Sequence, residues 1–70
     1  MSATIAVTVN GKGHSIERGA TVRDFLDGQG IDPAVVVVEL NRSIVKKENY
    51  AKTSLNNEDT VELLRFVGGG

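Results

Sequence analysis

The sequence predicts an α+β domain, a mixed β-sheet covered on one face by a single helix. Thr4 to Val9 alternates polar with apolar residues and runs into Asn10-Gly11, a strong short-range hairpin signal. One stretch, opening at Thr21, has apolar residues at helical spacing, and two later runs, Val35 to Leu40 and Thr60 to Val67, are dense in β-branched and large apolar residues. At 70 residues the chain is long enough for one domain, near the lower limit for a core without staples.

In the first strand Ile5, Val7 and Val9 share one side and Thr4, Ala6 and Thr8 the other. The chain returns through a second strand from His14 to Glu17, with Ile16 facing inward, His14 solvated, and Gly13 a place for a bulge. Arg18-Gly19-Ala20 breaks that strand. Thr21 with Asp24 three positions on forms a capping-box start, and the acid suits the positive end of the helix dipole. Val22, Phe25, Leu26 and Gln29 then fall on one face, and Gly28 or Gly30 ends the helix in a left-handed conformation. An aromatic on the apolar face of a lone helix is core, so Phe25 is assigned there rather than to a ligand site.

Ile31-Asp32-Pro33 is a turn, and Val35 to Leu40 is too short and too β-branched for a helix. With Glu39 facing water, the period of two places Val35 and Val37 outward and Val36, Val38 and Leu40 inward. Ser43-Ile44-Val45 forms a brief fourth strand after the turn at Asn41-Arg42. Lys46 to Lys52 is polar, with Tyr50 as an anchor whose hydroxyl reaches the surface. Leu55 plugs the core before the turn Asn56 to Asp59, and the last strand follows. The first and last strands pair in the middle of the sheet. The predicted core is Ile5, Val7, Phe25, Leu26, Val36, Val38, Val61 and Leu63. Leu64 and Phe66 then point to the face that the helix leaves open, beside Val35, Val37, Glu39 and Glu62.

Composition removes several functions. There is no cysteine and a single histidine, so thiolate chemistry and a cysteine-histidine metal cluster are excluded. Net charge is -1, the pI is near 5.7 and the basic residues are scattered apart from Lys46-Lys47, which argues against nucleic acid. No stretch is long enough to span a membrane, and the N-terminus lacks the pattern of a signal peptide, so a cytoplasmic protein is expected. The remaining oddity is the end of the sequence, where an apolar strand abuts Gly68-Gly69-Gly70. Residues 1–67 are therefore expected to form the domain and 68–70 a flexible tail whose one chemical handle is a terminal carboxylate.

Taken together these elements resemble the β-grasp fold of ubiquitin-like proteins, and in detail the ThiS-type sulfur carriers of thiamine biosynthesis. The resemblance is carried by Val-Asn-Gly at 9–11, Thr-Val at 21–22, Val-Val-Glu-Leu-Asn at 37–41, Ile-Val-Lys-Lys-Glu-Asn-Tyr at 44–50, and most specifically Phe66-Val67 with the glycines after them. One departure is Asn57-Glu58-Asp59, where the family more often has a Gly-Asp turn; Gly70 also extends the required Gly-Gly by a third glycine, as in some members of the family, and is taken as the reacting residue.

The resemblance implies that the Gly70 carboxylate is adenylated by a ThiF-type adenylating enzyme using ATP and magnesium. A persulfide sulfur donor then converts it to a thiocarboxylate, which passes sulfur to a thiazole synthase. Gly68 and Gly69 thread the partner's active site, and Leu64, Phe66, Val67, Val35 and Val37 form the partner-binding surface. The carrier itself supplies no catalytic residue and binds no cofactor or metal. Two alternatives share the chemistry of the tail, a molybdopterin synthase small subunit and a ubiquitin-like protein-conjugating modifier.

Overall fold

The computed structural model describes residues 3–65. The expectations for Phe66, Val67, Gly68, Gly69 and Gly70, and the division of the chain after residue 67, lie outside the described residues. Strands β1 (Thr4–Val9) and β2 (Lys12–Glu17) form the N-terminal hairpin, and helix α1 (Val22–Gly28) follows. A 3-10 turn (Pro33–Val35) leads into β3 (Val36–Leu40) and β4 (Ser43–Val45). A second 3-10 segment (Lys47–Lys52) then precedes β5 (Thr60–Arg65). The sheet order is β2-β1-β5-β3-β4, with β1 and β5 parallel at its centre and the other pairs antiparallel.

Local chemistry builds each element. Asn10 (φ 49°) and Gly11 (φ 82°) both take the positive φ that a tight hairpin needs, and the pairing from Val9↔Lys12 to Thr4↔Glu17 runs on without a slip. Gly13 therefore adds no bulge: it stands opposite Thr8 in regular register. Helix α1 has the full capping box, with the Asp24 N–H donating to Thr21 Oγ1 at 3.1 Å and the Thr21 N–H donating to Asp24 Oδ2 at 2.9 Å. At its other end Gly30 (φ 69°) closes a Schellman motif, in which the N–H of Ile31 donates to Leu26 O and that of Gly30 to Asp27 O. Gly30 rather than Gly28 is the left-handed residue, and Gln29 is the exposed C-cap rather than part of the buried face.

The core lies between sheet and helix. Ile5, Val7, Val9, Val22, Phe25, Leu26, Val36, Val38, Tyr50, Leu55 and Val61 are buried in one cluster, and Ile16, Ile31, Leu40, Val45 and Leu63 pack against it half-buried. Leu63 thus has the inward phase expected of it but sits at the rim. Two aromatic neighbours differ from expectation. His14 is half-buried and makes a T-shaped contact with Phe25, ring centroids 5.5 Å apart at 88°, because it stands opposite the inward Val7 and so shares the inner face of β2 with Ile16. Tyr50 is only 3% exposed, and its hydroxyl donates to the Val36 carbonyl at 3.3 Å instead of reaching solvent.

That hydroxyl ties the 3-10 segment to β3. Replacing Tyr50 with phenylalanine keeps the ring but strands a carbonyl, and is expected to cost about 1 kcal/mol. Urea unfolding of the two proteins checks this; equal midpoints would show that Val36 O finds another donor.

Candidate docking surface

The register decides which residues share the open face. Along β5, Val61 is buried and Leu63 half-buried on the helix side, so Thr60, Glu62 and Leu64 point away. Across the antiparallel pair β3–β5, Val37 stands opposite Leu64 and Glu39 opposite Glu62, while on the far side of β3 Glu39 stands opposite Ile44. Val37 is half-buried, Leu64 is 54% exposed and Ile44 is 68% exposed. These three aliphatic side chains mark out a patch on the β5-β3-β4 half of the sheet. On the other half β1 offers only the exposed Thr4, Ala6 and Thr8.

Of the surface expected from the sequence, Leu64 and Val37 form a cross-strand pair. Val35 does not join them as a strand residue. Asp32 caps a 3-10 turn with its carboxylate accepting from the Ala34 N–H at 2.9 Å, so the chain coils through Val35 and β3 begins one residue later. Val35 is nonetheless 39% exposed beside the strand end. Ile44 is the residue that sequence reasoning missed. A three-residue strand is too short to reveal its own phase, although alternation against the inward Val45 contained the signal.

The strand that leads toward the glycines is held from both sides. On one side β5 pairs with β3 as far as Arg65↔Val36. On the other, β1 turns away after Val9, and the Asn10 side chain takes its place: the Leu63 N–H donates to Asn10 Oδ1 at 2.8 Å and Asn10 Nδ2 donates to Leu63 O at 3.3 Å. Asn10, read from the sequence only as a turn residue, is therefore also a surrogate strand for β5. At the start of β5, Asn41 Oδ1 accepts from the Thr60 N–H at 2.9 Å while its Nδ2 donates to Asp59 Oδ1 at 2.9 Å. In the preceding turn Glu58 takes φ 70°, the conformation for which glycine is best suited.

Among the described residues, surface hollows beside Ile44 and Tyr50 and between His14 and Gln29 measure about 250 and 320 Å³. These volumes straddle the lower bound of about 300 Å³ for ligand pockets. Among the described residues no group of three or more His, Cys, Asp or Glu side chains is placed to hold a metal ion. No helix among them is long and apolar enough to cross a membrane.

A mixed five-stranded sheet with parallel central strands and one covering helix is the ubiquitin-like β-grasp fold, here with an open face and a glycine run following its central strand. The crystal structure of the thiamine biosynthesis protein ThiS from Geobacter metallireducens superimposes with a TM-score of 0.81 at 32% identity, covering 94% of this chain and 100% of that one. The model of the ThiS family matches residues 4–70, so the chain belongs to the ThiS family. The sulfur carrier protein ThiS of Bacillus subtilis is 38% identical over 50 residues, covering 71% of this chain and 76% of that protein. A thiazole synthase of Magnetococcus marinus is 36% identical over 64 residues, covering 91% of this chain. The chain spans 20% of the length of that synthase and of its counterpart from Paramagnetospirillum magneticum.

Proposed function

We propose that this protein is a sulfur carrier of thiamine biosynthesis, with the Gly70 carboxylate as the group that is activated and loaded. The observation that carries the reading is the family match, which runs from the first strand through the glycines to residue 70 and so includes the tail with the fold. Likeness to a named sulfur carrier supports the same role, and likeness to part of two thiazole synthases supports a thiazole synthase as the enzyme that consumes the sulfur. Family membership also favours this role over molybdopterin synthesis and over protein conjugation.

The chemistry asks little of the carrier's side chains. A carboxylate resists nucleophiles, so a ThiF-type enzyme first joins it to AMP from ATP, releasing pyrophosphate. The terminal sulfur of a persulfide donor attacks the acyl carbon, AMP leaves, and reductive cleavage of the S–S bond by a thiol frees the thiocarboxylate. ATP and magnesium belong to the adenylating partner, and the cytoplasm is the compartment expected for the work. Gly68 and Gly69 offer the narrowest thread to the nucleotide, and Leu64, Val37 and Ile44, with Val35, Phe66 and Val67, form the face on which the partner docks.

Intact mass after incubation with the cognate adenylating enzyme, ATP and a persulfide donor tests the reading. The expected result is replacement of one oxygen by one sulfur at Gly70, and no loading of a C-terminally amidated protein. Loading of the amidated form, or sulfur mapped to any other residue, overturns it.

A further inference from the structure

We infer that the open face is read by a basic side chain of the partner, an arginine by geometry, seated between the carboxylates of Glu39 and Glu62 with apolar neighbours on Val37, Leu64 and Ile44. Glu39 and Glu62 stand directly opposite each other on β3 and β5. On one face of an antiparallel pair this brings their Cβ atoms to about 4.5–5.5 Å, where like charges destabilise the sheet. Neither carboxylate is ion-paired or hydrogen-bonded to another described residue. The isolated domain thus carries an uncompensated repulsion at the middle of its exposed apolar patch, between Ile44 on one flank and the Val37–Leu64 pair in the next row.

A cation arriving from outside turns that repulsion into two attractions. Arginine suits the place better than lysine because its planar fork presents donors to both carboxylates at once. The surrounding aliphatic side chains lower the local dielectric and strengthen the contact. The same charges argue against other occupants. A second copy of this chain docked by its open face brings two acidic pairs together, and an acidic polymer is repelled. The partner's identity as the adenylating enzyme rests on the sulfur-carrier reading; the chemistry of the contact rests on the register.

Two variants test the inference, the double change Glu39→Gln with Glu62→Gln and the single change Glu62→Lys. Affinity for the cognate adenylating enzyme is measured by calorimetry at low and high salt, alongside thermal melts and sulfur loading. The glutamine pair is expected to melt higher than wild type, to bind about tenfold more weakly at low salt, and to lose most of the salt dependence of wild-type binding. Glu62→Lys, which gains a cross-strand partner in Glu39, is expected to be folded, stabilised and the weaker binder. If wild type loads sulfur while the glutamine pair binds as tightly as wild type, the inference falls and the carrier reading stands. If wild type neither binds nor loads, both fall.

Discussion

Truncating Leu26 to alanine is expected to remove about 3–5 kcal/mol of stability, the loss seen when a fully buried leucine leaves a cavity that its neighbours cannot fill. Leu26 is 0% exposed, on the helix face that sits over Val7, Val36, Val38 and Val61, themselves 2% exposed or less. Its backbone is pinned as well, because its carbonyl accepts from the Ile31 N–H at 2.9 Å in the motif that ends the helix, so the element cannot slide to close the gap. Small domains sit toward the low end of the usual range of about 5–15 kcal/mol, so most of the margin goes with one side chain. Leu64→Ala, the same chemical change on a residue 54% exposed, should stay within about 0.5 kcal/mol. Denaturant unfolding of both variants in parallel separates core from open face. A loss below about 1 kcal/mol at Leu26 would mean that the helix packs in another phase.

Replacing Gly69 with valine is expected to abolish sulfur loading while leaving the melting curve where it was. On the proposed function the terminal carboxylate reacts only after it enters another protein's nucleotide site, and three residues fully extended span at most about 10 Å. Valine widens that thread at its penultimate position and, being β-branched, narrows the backbone conformations available to it. The melting curve is expected to hold because Gly69 carries no side chain to pack, and the buried core among the described residues runs from Ile5 to Val61. Loading is read by intact mass with saturating adenylating enzyme, and folding by circular dichroism on the same sample. Full loading of the variant would show that slimness of the tail is not what the partner reads. An altered melt would show that the tail contributes to the fold.

Much of this protein is determined within short stretches of its sequence. Ile5, Val7 and Val9 announce an inward face because a strand repeats every two residues, Thr21 with Asp24 announces a helix start because four N–H groups there need acceptors, and Asn10-Gly11 announces a reversal because both residues accept positive φ. From those phases the open side of Leu64 and Val37 follows without coordinates. The tertiary structure decided what no local period encodes, namely which residues from distant segments come to stand beside one another. Val35 lost its place in the strand to the Asp32 cap, the Tyr50 hydroxyl found Val36 O rather than water, and the His14 ring found that of Phe25. Asn10 became the neighbour of Leu63, and Ile44 joined the open face through its position opposite Glu39. Above all, Glu39 and Glu62 face each other only because β5 enters between β1 and β3 in one particular register. Pairing across 23 residues of sequence depends on the packing of the whole core, and a slip of one residue would have turned each side chain of the strand to the other face.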